Sequence, residues 1–167
     1  MTWNAKWANF TDAELRTQVY MNNDARHAMY ARTILLHLRP TSTLDIGGGT
    51  GNLGHFLPGK YTVMDHPRMQ QFCTNRMAKW IPMGPITEKY DLVVSTHALV
   101  ENPVETMKEY LDQIEALGTE YLYLSGRKFR HGIHFDDWPI QNWEPLALRY
   151  FGGKGERFVE FLGRLKT

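Results

Sequence analysis

The sequence contains a single cysteine, has almost no net charge and holds no long apolar run. Because one cysteine, Cys73, cannot form an intrachain disulfide, the chain fits a protein of a reducing compartment. Nineteen basic residues face eighteen acidic ones, so the chain lacks the one-signed charge of a dedicated nucleic-acid-binding protein. No apolar stretch is long enough to cross a bilayer. We therefore expect a cytoplasmic protein that binds neither membrane nor nucleic acid.

The length of 167 residues predicts a single domain, because no repeat, low-complexity tract or linker divides the chain. Within residues 1–167 we distinguish a helical cap at 1–40 and a core at 41–167. The first residues lack the charged start and apolar centre of a secretory signal, so we expect none.

The amino-terminal part is predicted to be helical over residues 11–38. Thr11 and Glu14 have the spacing of a capping box, and Pro40 ends the pattern. The polar residues 22–24 predict a break, so the cap consists of two helices.

Strands and helices alternate in the rest of the chain. Strands are predicted at 43–46, 61–64, 91–95 and 121–125, of which 91–95 is of the buried type, and a brief edge strand at 81–83. Helices are predicted at 52–57, 67–80 and 103–117. This alternation is typical of a parallel sheet with helices on both faces. Two further strand-like runs, 145–151 and 156–165, are joined by a short glycine-rich link that only a hairpin accommodates. The fold class is therefore α/β: a mostly parallel seven-stranded sheet with a C-terminal antiparallel β-hairpin, preceded by N-terminal helices.

A glycine-rich loop, GGGTG at residues 47–51, lies between the first strand and a helix start. Glycines allow a sharp turn and a close ligand approach, and a helix N-terminus adds free amides and partial positive charge. Two frames fit the loop. Residues 49–54 match the GxGxxG fingerprint of dinucleotide binding. The longer frame Asp45-x-Gly47-x-Gly49-x-Gly51 places a carboxylate at the strand tip, which disfavours a pyrophosphate and suits an ammonium group.

The longer frame and its surroundings, LDIGGGTGNLGHFLPGKYTVMDHP at residues 44–67, resemble class I S-adenosylmethionine-dependent methyltransferases. In detail the segment is similar to small-molecule and sugar O-methyltransferases, whose loop has three adjacent glycines and whose second strand ends in an acid shortly before a proline. The resemblance covers residues 43–125 and, in outline, the final hairpin. It implies a Rossmann-like fold and S-adenosyl-L-methionine as the cofactor.

The resemblance also implies a set of cofactor-binding residues. Asp45 would lie near the methionine end, Asp65 would hold the ribose and His66 would lie near the adenine. The full predicted set is Asp45, Gly47, Gly48, Gly49, Gly51, Asp65, His66 and Ser95. The acid that the family often places after the third strand is missing here, so Ile81 or Met83 is expected to pack against the adenine instead.

Ligands of parallel sheets bind beyond the carboxyl ends of the strands, and His97 follows the fourth strand. Methyl transfer to an oxygen of high pKa needs alignment and a base. We therefore predict His97 as the catalytic base and Glu101, four residues later, as the group that orients it.

Two clusters of polar residues further along the chain can each be interpreted in two ways. His131, His134, Asp136 and Asp137 have a density of ligands that could hold a divalent metal, but two histidines do not suit magnesium. We therefore expect no metal, and a substrate-facing lid is the other interpretation. The basic residues of 127–131 fit an anionic substrate or a solvated face.

The function predicted is O-methylation of a small-molecule acceptor with S-adenosyl-L-methionine. One alternative is a non-catalytic S-adenosylmethionine-binding protein, such as a regulatory or partner subunit. A weaker alternative is an NAD-linked oxidoreductase, which only the overlapping GxGxxG favours. The sequence is compatible with a homodimer and does not identify the acceptor.

Overall fold

A computed structural model describes residues 23–130 and 132–167 of the chain. The first predicted helix, with Thr11 and Glu14, and residue His131 lie outside these ranges. Two α-helices are described, α1 (Asn23–Leu35) and α2 (Val104–Ala116). The strands of the main sheet are β1 (Ser42–Ile46), β2 (Lys60–Asp65), β3 (Lys79–Pro82), β4 (Leu92–Thr96), β5 (Tyr121–Arg127), β8 (Trp143–Phe151) and β9 (Phe158–Leu165), while β6 (Phe129–Arg130) and β7 (Ile133–His134) form a separate small hairpin.

The main sheet has the order β3-β2-β1-β4-β5-β9-β8. The first five strands are parallel, whereas β9 runs antiparallel between β5 and β8. The carboxyl ends of β1, β2, β4 and β5 therefore lie at one edge. The start of β9 lies at the same edge, because Arg127 pairs with Phe158. The predicted fold class, a mostly parallel seven-stranded sheet with a C-terminal antiparallel hairpin, is confirmed.

Within the described ranges, α1 packs on one face of the sheet and α2 on the other. Alternate residues of β4 point to opposite faces. Leu92 and Val94 belong to the same apolar cluster as Ile34 of α1, and Val93 belongs to the cluster that holds Leu111 of α2. This burial explains why β4 is an almost unbroken apolar run.

The prediction of a helix at residues 67–80 is wrong. Only a short 3-10 helix forms, at Pro67–Phe72, and β3 begins at Lys79. The amides of Thr74 and Asn75 donate to the Thr50 carbonyl, at 3.1 and 3.2 Å, instead of continuing a helix. The predicted helix at 52–57 is likewise a 3-10 helix, Asn52–His55. Tertiary hydrogen bonds to the glycine loop outweigh the local helical pattern in the segment after β2.

The small hairpin of β6 and β7 was not predicted from the sequence. A 3-10 helix at Phe135–Asp137 follows it and buries Phe135 next to Trp138, with ring centroids 4.9 Å apart. These aromatic rings belong to the same apolar cluster as α2. Within the described ranges, no helix is both long and apolar enough to cross a membrane.

Glu160 is a buried acidic residue that joins four elements. Its carboxyl oxygens accept hydrogen bonds from Thr33 of α1 at 3.0 Å and from Tyr123 of β5 at 2.9 Å. Arg149 of β8 forms an ion pair with it at 3.5 Å. A buried carboxyl group is tolerated only when its oxygens have such partners.

We expect Glu160→Ala to destabilise the fold by roughly 3 kcal/mol or more, because it leaves two buried hydroxyls and a guanidinium without their acceptor. The matched control is Glu144→Ala, an exposed acid on the adjacent strand, which is expected to change stability by less than about 0.5 kcal/mol. Urea denaturation measures both. Equal effects of the two substitutions would contradict a joining role for Glu160.

Candidate functional site

The glycine loop leaves β1 at the edge where the parallel strands end. Gly47 has a φ of 74° and donates its amide to the Met64 carbonyl at 2.7 Å. A Cβ at this position would overlap the Ala98 side chain. Both the left-handed backbone and the close approach therefore require glycine at position 47.

The space around the next two glycines differs. At Gly48 a Cβ would lie 2.5 Å from the Asp45 Oδ2 atom, so this glycine packs on the carboxyl group. At Gly49, where φ is 53°, the described residues place only the Met69 Cε atom within 4 Å of a Cβ, at 4.0 Å. In this part of the chain the space over Gly49 is therefore open. The loop therefore leaves room for a ligand at one glycine and uses the others for packing.

Asp65 ends β2 directly beside the loop. Its Oδ2 accepts from the Gly49 amide at 2.9 Å and its Oδ1 from the His66 amide at 2.6 Å. Each carboxylate oxygen keeps a second lone pair, so Asp65 can still accept from a ligand hydroxyl. His66 is exposed, and its Nδ1 caps the following 3-10 helix by accepting from the Arg68 amide at 3.3 Å.

Ile81 and Met83 lie beside Asp65, where the sequence predicts packing against an adenine. The Met83 amide donates to the Asp65 carbonyl at 2.8 Å, and both residues help line a cavity of about 360 Å³ along β3. Their contact with an adenine stays a prediction.

Helix α1 holds the far side of the loop through Asn52, a contact that sequence reasoning missed. The Asn52 Nδ2 atom lies 3.0 Å from Asp24 Oδ1 and 2.7 Å from His27 Nδ1. Burial, helped by the positive charge of Arg26, lowers the pKa of His27 to about 4. His27 is therefore neutral at pH 7, and its Nδ1 accepts from the Asn52 amide.

Asn75 braces the loop from the other side and was also missed. Its side-chain amide is buried, donates to the Gly51 carbonyl at 3.0 Å and accepts from the Met77 amide at 3.0 Å. In the sequence, Asn75 is only one polar residue within the segment predicted to be helical.

His97 lies at the end of β4 with an unusual backbone. Its φ is 73°, a left-handed conformation that costs free energy in residues with a side chain. Its amide donates to the Ser125 carbonyl at 2.6 Å, and its Nε2 atom lies 3.4 Å from the Tyr30 hydroxyl. The structure thus brings His97, α1 and β5 together. Glu101 lies four residues later, half-buried at the end of the 3-10 helix Leu99–Glu101.

Ser95 is fully buried behind the loop. Its hydroxyl donates to the Ile46 carbonyl at 2.8 Å and accepts from the Leu99 amide at 2.9 Å. These bonds tie the ends of β1 and β4 together. Ser95 therefore braces this edge of the sheet, and its predicted contact with the cofactor stays a prediction.

His134 and the two acids after it form a local cap of the 3-10 helix Phe135–Asp137. The His134 amide donates to Asp137 Oδ2 at 3.0 Å, and His134 Nδ1 accepts from the Asp136 amide at 3.3 Å. Among the residues that the structure describes, no group of three or more histidine, cysteine or acidic side chains could hold a metal ion. His131 lies outside those residues.

Asp45 is the buried acid of the site, 1% exposed. Its Oδ2 accepts from the Tyr61 hydroxyl at 2.5 Å, whereas its Oδ1 is buried with no hydrogen-bond partner in the described chain. Burial raises the pKa of Asp45 to about 7, and the nearby charge of Asp65 acts in the same direction, against the Tyr61 hydrogen bond. Asp45 is thus poised between its neutral and charged forms near pH 7.

We expect the stability of the protein to fall, relative to Asp45→Asn, as pH rises from about 4 to about 7. The folded chain retains a proton that the unfolded chain releases above pH 4, so the stabilisation by the neutral carboxyl is lost as pH rises through the folded pKa. The change in the free energy of unfolding of wild type relative to Asp45→Asn over this pH range is roughly 2–4 kcal/mol. Denaturation of both proteins across this pH range measures it.

Asp91→Asn serves as the control of opposite sign. The side-chain and backbone hydrogen bonds from Thr41 lower the pKa of Asp91. Its contribution to stability is therefore constant from about pH 4 to 7 and is lost only at lower pH, as pH falls through the lowered pKa. If the free energies of unfolding of wild type and Asp45→Asn differ by the same amount from about pH 4 to 7, the raised pKa of Asp45 is contradicted.

Comparison with known proteins found similarity only at the level of structure. No protein-family model and no curated protein sequence matches the chain. The N-methyltransferase NodS from Bradyrhizobium japonicum WM9, solved with S-adenosyl-L-homocysteine, superposes with a TM-score of 0.71 and 16% identity. That match covers 98% of this chain and 96% of NodS.

Two other solved structures are similar. The Burkholderia thailandensis 1,6-didemethyltoxoflavin-N1-methyltransferase, with bound 1,6-didemethyltoxoflavin and S-adenosylhomocysteine, matches with a TM-score of 0.68 and 13% identity over 100% of this chain and 92% of that one. The magnesium protoporphyrin IX methyltransferase ChlM from Synechocystis PCC 6803, with bound SAM, matches with a TM-score of 0.66 and 13% identity over 96% and 94%. The chain thus has the fold of the class I S-adenosylmethionine-dependent methyltransferases.

Proposed function

We propose that this protein is an S-adenosylmethionine-dependent methyltransferase that methylates an oxygen of a small-molecule acceptor. The observation that carries the proposal is the space over Gly49, whose amide donates to the Asp65 carboxylate, while the buried Asp45 carboxyl packs against the neighbouring Gly48. The structural neighbours named above, which were solved with the cofactor or its demethylated product, support this choice of ligand.

The residues of the site fit the chemical groups of S-adenosylmethionine. Asp65 has lone pairs left for the ribose hydroxyls after its two backbone hydrogen bonds. Asp45 has a buried oxygen without a partner, which suits the ammonium of the methionine moiety. A cation next to Asp45 would favour its charged form and offset the burial that raises its pKa.

The sheet order argues against an NAD-linked oxidoreductase. Dinucleotide-binding folds continue beyond the fifth strand with another strand in the order 3-2-1-4-5-6. Here the antiparallel β9 lies between β5 and β8 instead. The GxGxxG frame at residues 49–54 is therefore better explained as part of the longer glycine motif.

His97 is the proposed base. When bound, S-adenosylmethionine supplies an electrophilic methyl group on its sulfonium sulfur. His97 would accept the proton of the acceptor hydroxyl as the oxygen forms its bond to the methyl carbon and the carbon–sulfur electron pair returns to sulfur. The left-handed backbone of His97 is a strained conformation of the kind that persists at functional sites. Glu101 stays the proposed orienting carboxylate, and the Tyr30 hydroxyl holds the ring from α1.

We expect Gly49→Ala to weaken binding of S-adenosylhomocysteine by at least about tenfold, because its Cβ would enter the open space of the loop. Gly153→Ala is the matched control, since Gly153 also has a left-handed φ, 77°, and no atom within 4 Å of a Cβ. Both substitutions are expected to cost roughly 1–2 kcal/mol of stability. Calorimetric titration measures binding, and equal affinities of the two variants would contradict the proposed position of the cofactor.

We expect His97→Asn to lower kcat by about 100-fold or more and to leave cofactor affinity within about twofold, because the base acts only in the transfer step. Asparagine tolerates the left-handed backbone, so the loop is preserved. The exposed His37→Asn is the control. Formation of S-adenosylhomocysteine with a panel of phenols, catechols and amines gives the rates.

Transfer to amines but not to hydroxyls would contradict methylation on oxygen. Cofactor binding without turnover on any acceptor would contradict methyl transfer and favour the non-catalytic binding protein.

A further inference from the structure

A second cavity lies at the same edge of the sheet, beyond the ends of β5 and β8. It has a volume of about 630 Å³, within the usual range of small-molecule sites. Its walls come from the end of β5, the small hairpin and the turn between β8 and β9. We call it the basic pocket; its lining includes Arg127, Lys128, Phe129, Glu156, Arg157 and Phe158.

The charge of the basic pocket is mostly positive. Among the described residues that line it, three are cations and one, Glu156, is an acid. Lys128 directs its ammonium over the Tyr150 ring, 4.8 Å from the centroid. Neither Arg127 nor Arg157 forms an ion pair with a described residue. Two guanidinium groups therefore remain available to bind a carboxylate or phosphate.

Aromatic rings form the other wall. Phe129 is 63% exposed, which is unusual for so large an apolar side chain beside charged groups. Phe158 stacks on Phe151 with centroids 5.5 Å apart, and its edge-on contact with His97 has a centroid distance of 5.9 Å. A flat ring bound here would lie between these phenyl groups and the cations.

The contact between Phe158 and His97 links the basic pocket to the proposed base. Arg127 ends β5 opposite Phe158, and Thr96, next to His97, pairs with Ser125 of the same strand. A molecule anchored by the arginines can therefore extend along β5 toward His97. The near-neutral charge of the whole chain makes this local excess of cations a property of the pocket and not of the surface in general.

We infer that the basic pocket binds the methyl acceptor and that this acceptor is a planar aromatic molecule carrying a carboxylate or phosphate group. Its role as acceptor rests on the proposed methyl transfer, whereas the binding of an aromatic anion rests on the pocket alone. The anion lies at Arg127 and Arg157, the ring against Phe158, and the group to be methylated toward His97.

The probes are 4-hydroxybenzoate, phenyl phosphate and the neutral analogue 4-hydroxybenzamide, titrated by NMR into the protein with and without S-adenosylhomocysteine. The anions are expected to bind at least about tenfold more tightly than the amide, since each charge-assisted contact adds to affinity. In the Arg127→Gln/Arg157→Gln variant this preference is lost, while Lys154→Gln, an exposed cation of the same turn outside the lining, keeps it. Unchanged thermal midpoints establish that the variants are folded.

Equal binding of 4-hydroxybenzoate and 4-hydroxybenzamide overturns the inference, as does an equal loss in Lys154→Gln. The proposed function is tested separately by the titration with S-adenosylhomocysteine. If that ligand binds and the anions do not, the pocket inference fails alone. If the anions bind and S-adenosylhomocysteine does not, the methyltransferase proposal fails and the anion site stands. Where an anion is methylated, the double variant is expected to raise KM at least about tenfold with kcat within about threefold, because the arginines contact only the remote anionic group.

Discussion

The close packing between the end of β1 and the segment after β4 is the constraint on which the site depends. Gly47 turns there in a left-handed conformation because the Ala98 side chain occupies the space that any Cβ would need. The buried Ser95 hydroxyl ties the same two segments together through the Ile46 carbonyl and the Leu99 amide. This packing brings the glycine loop and His97 to the same edge of the sheet, where the parallel strands end.

The two acids of the site have different environments and suit different tasks. Asp45 is buried, and one of its oxygens has no hydrogen-bond partner among the described residues. Burial raises its pKa to about 7, so its charge near pH 7 responds to a neighbouring cation. Asp65 is half-buried and already accepts two backbone amides, so it has a fixed orientation toward the loop. The two residues are both aspartates, so their surroundings alone make the charge of Asp45 depend on pH and fix the orientation of Asp65.

Side-chain hydrogen bonds from two asparagines hold the glycine loop in place. Asn75 clamps the loop at Gly51, and Asn52 ties it to His27 of α1. On the opposite side, the turn between β8 and β9 leaves the basic pocket next to Phe158. Polar contacts thus hold the loop on one side of the site, and a cavity lined by cations and aromatic rings lies on the other.

The sequence by itself determined the strand order along the chain, the terminal hairpin and the glycine loop with Asp45 and Asp65, because apolar runs and glycine spacing are local signals. Only the tertiary structure decided that residues 67–80 are not a helix, since the Thr50 carbonyl and Asn75 take over their hydrogen bonds. It also decided the burial of Asp45 and the meeting of His97 with Phe158. Burial and contacts between distant segments follow from packing, which no local pattern encodes.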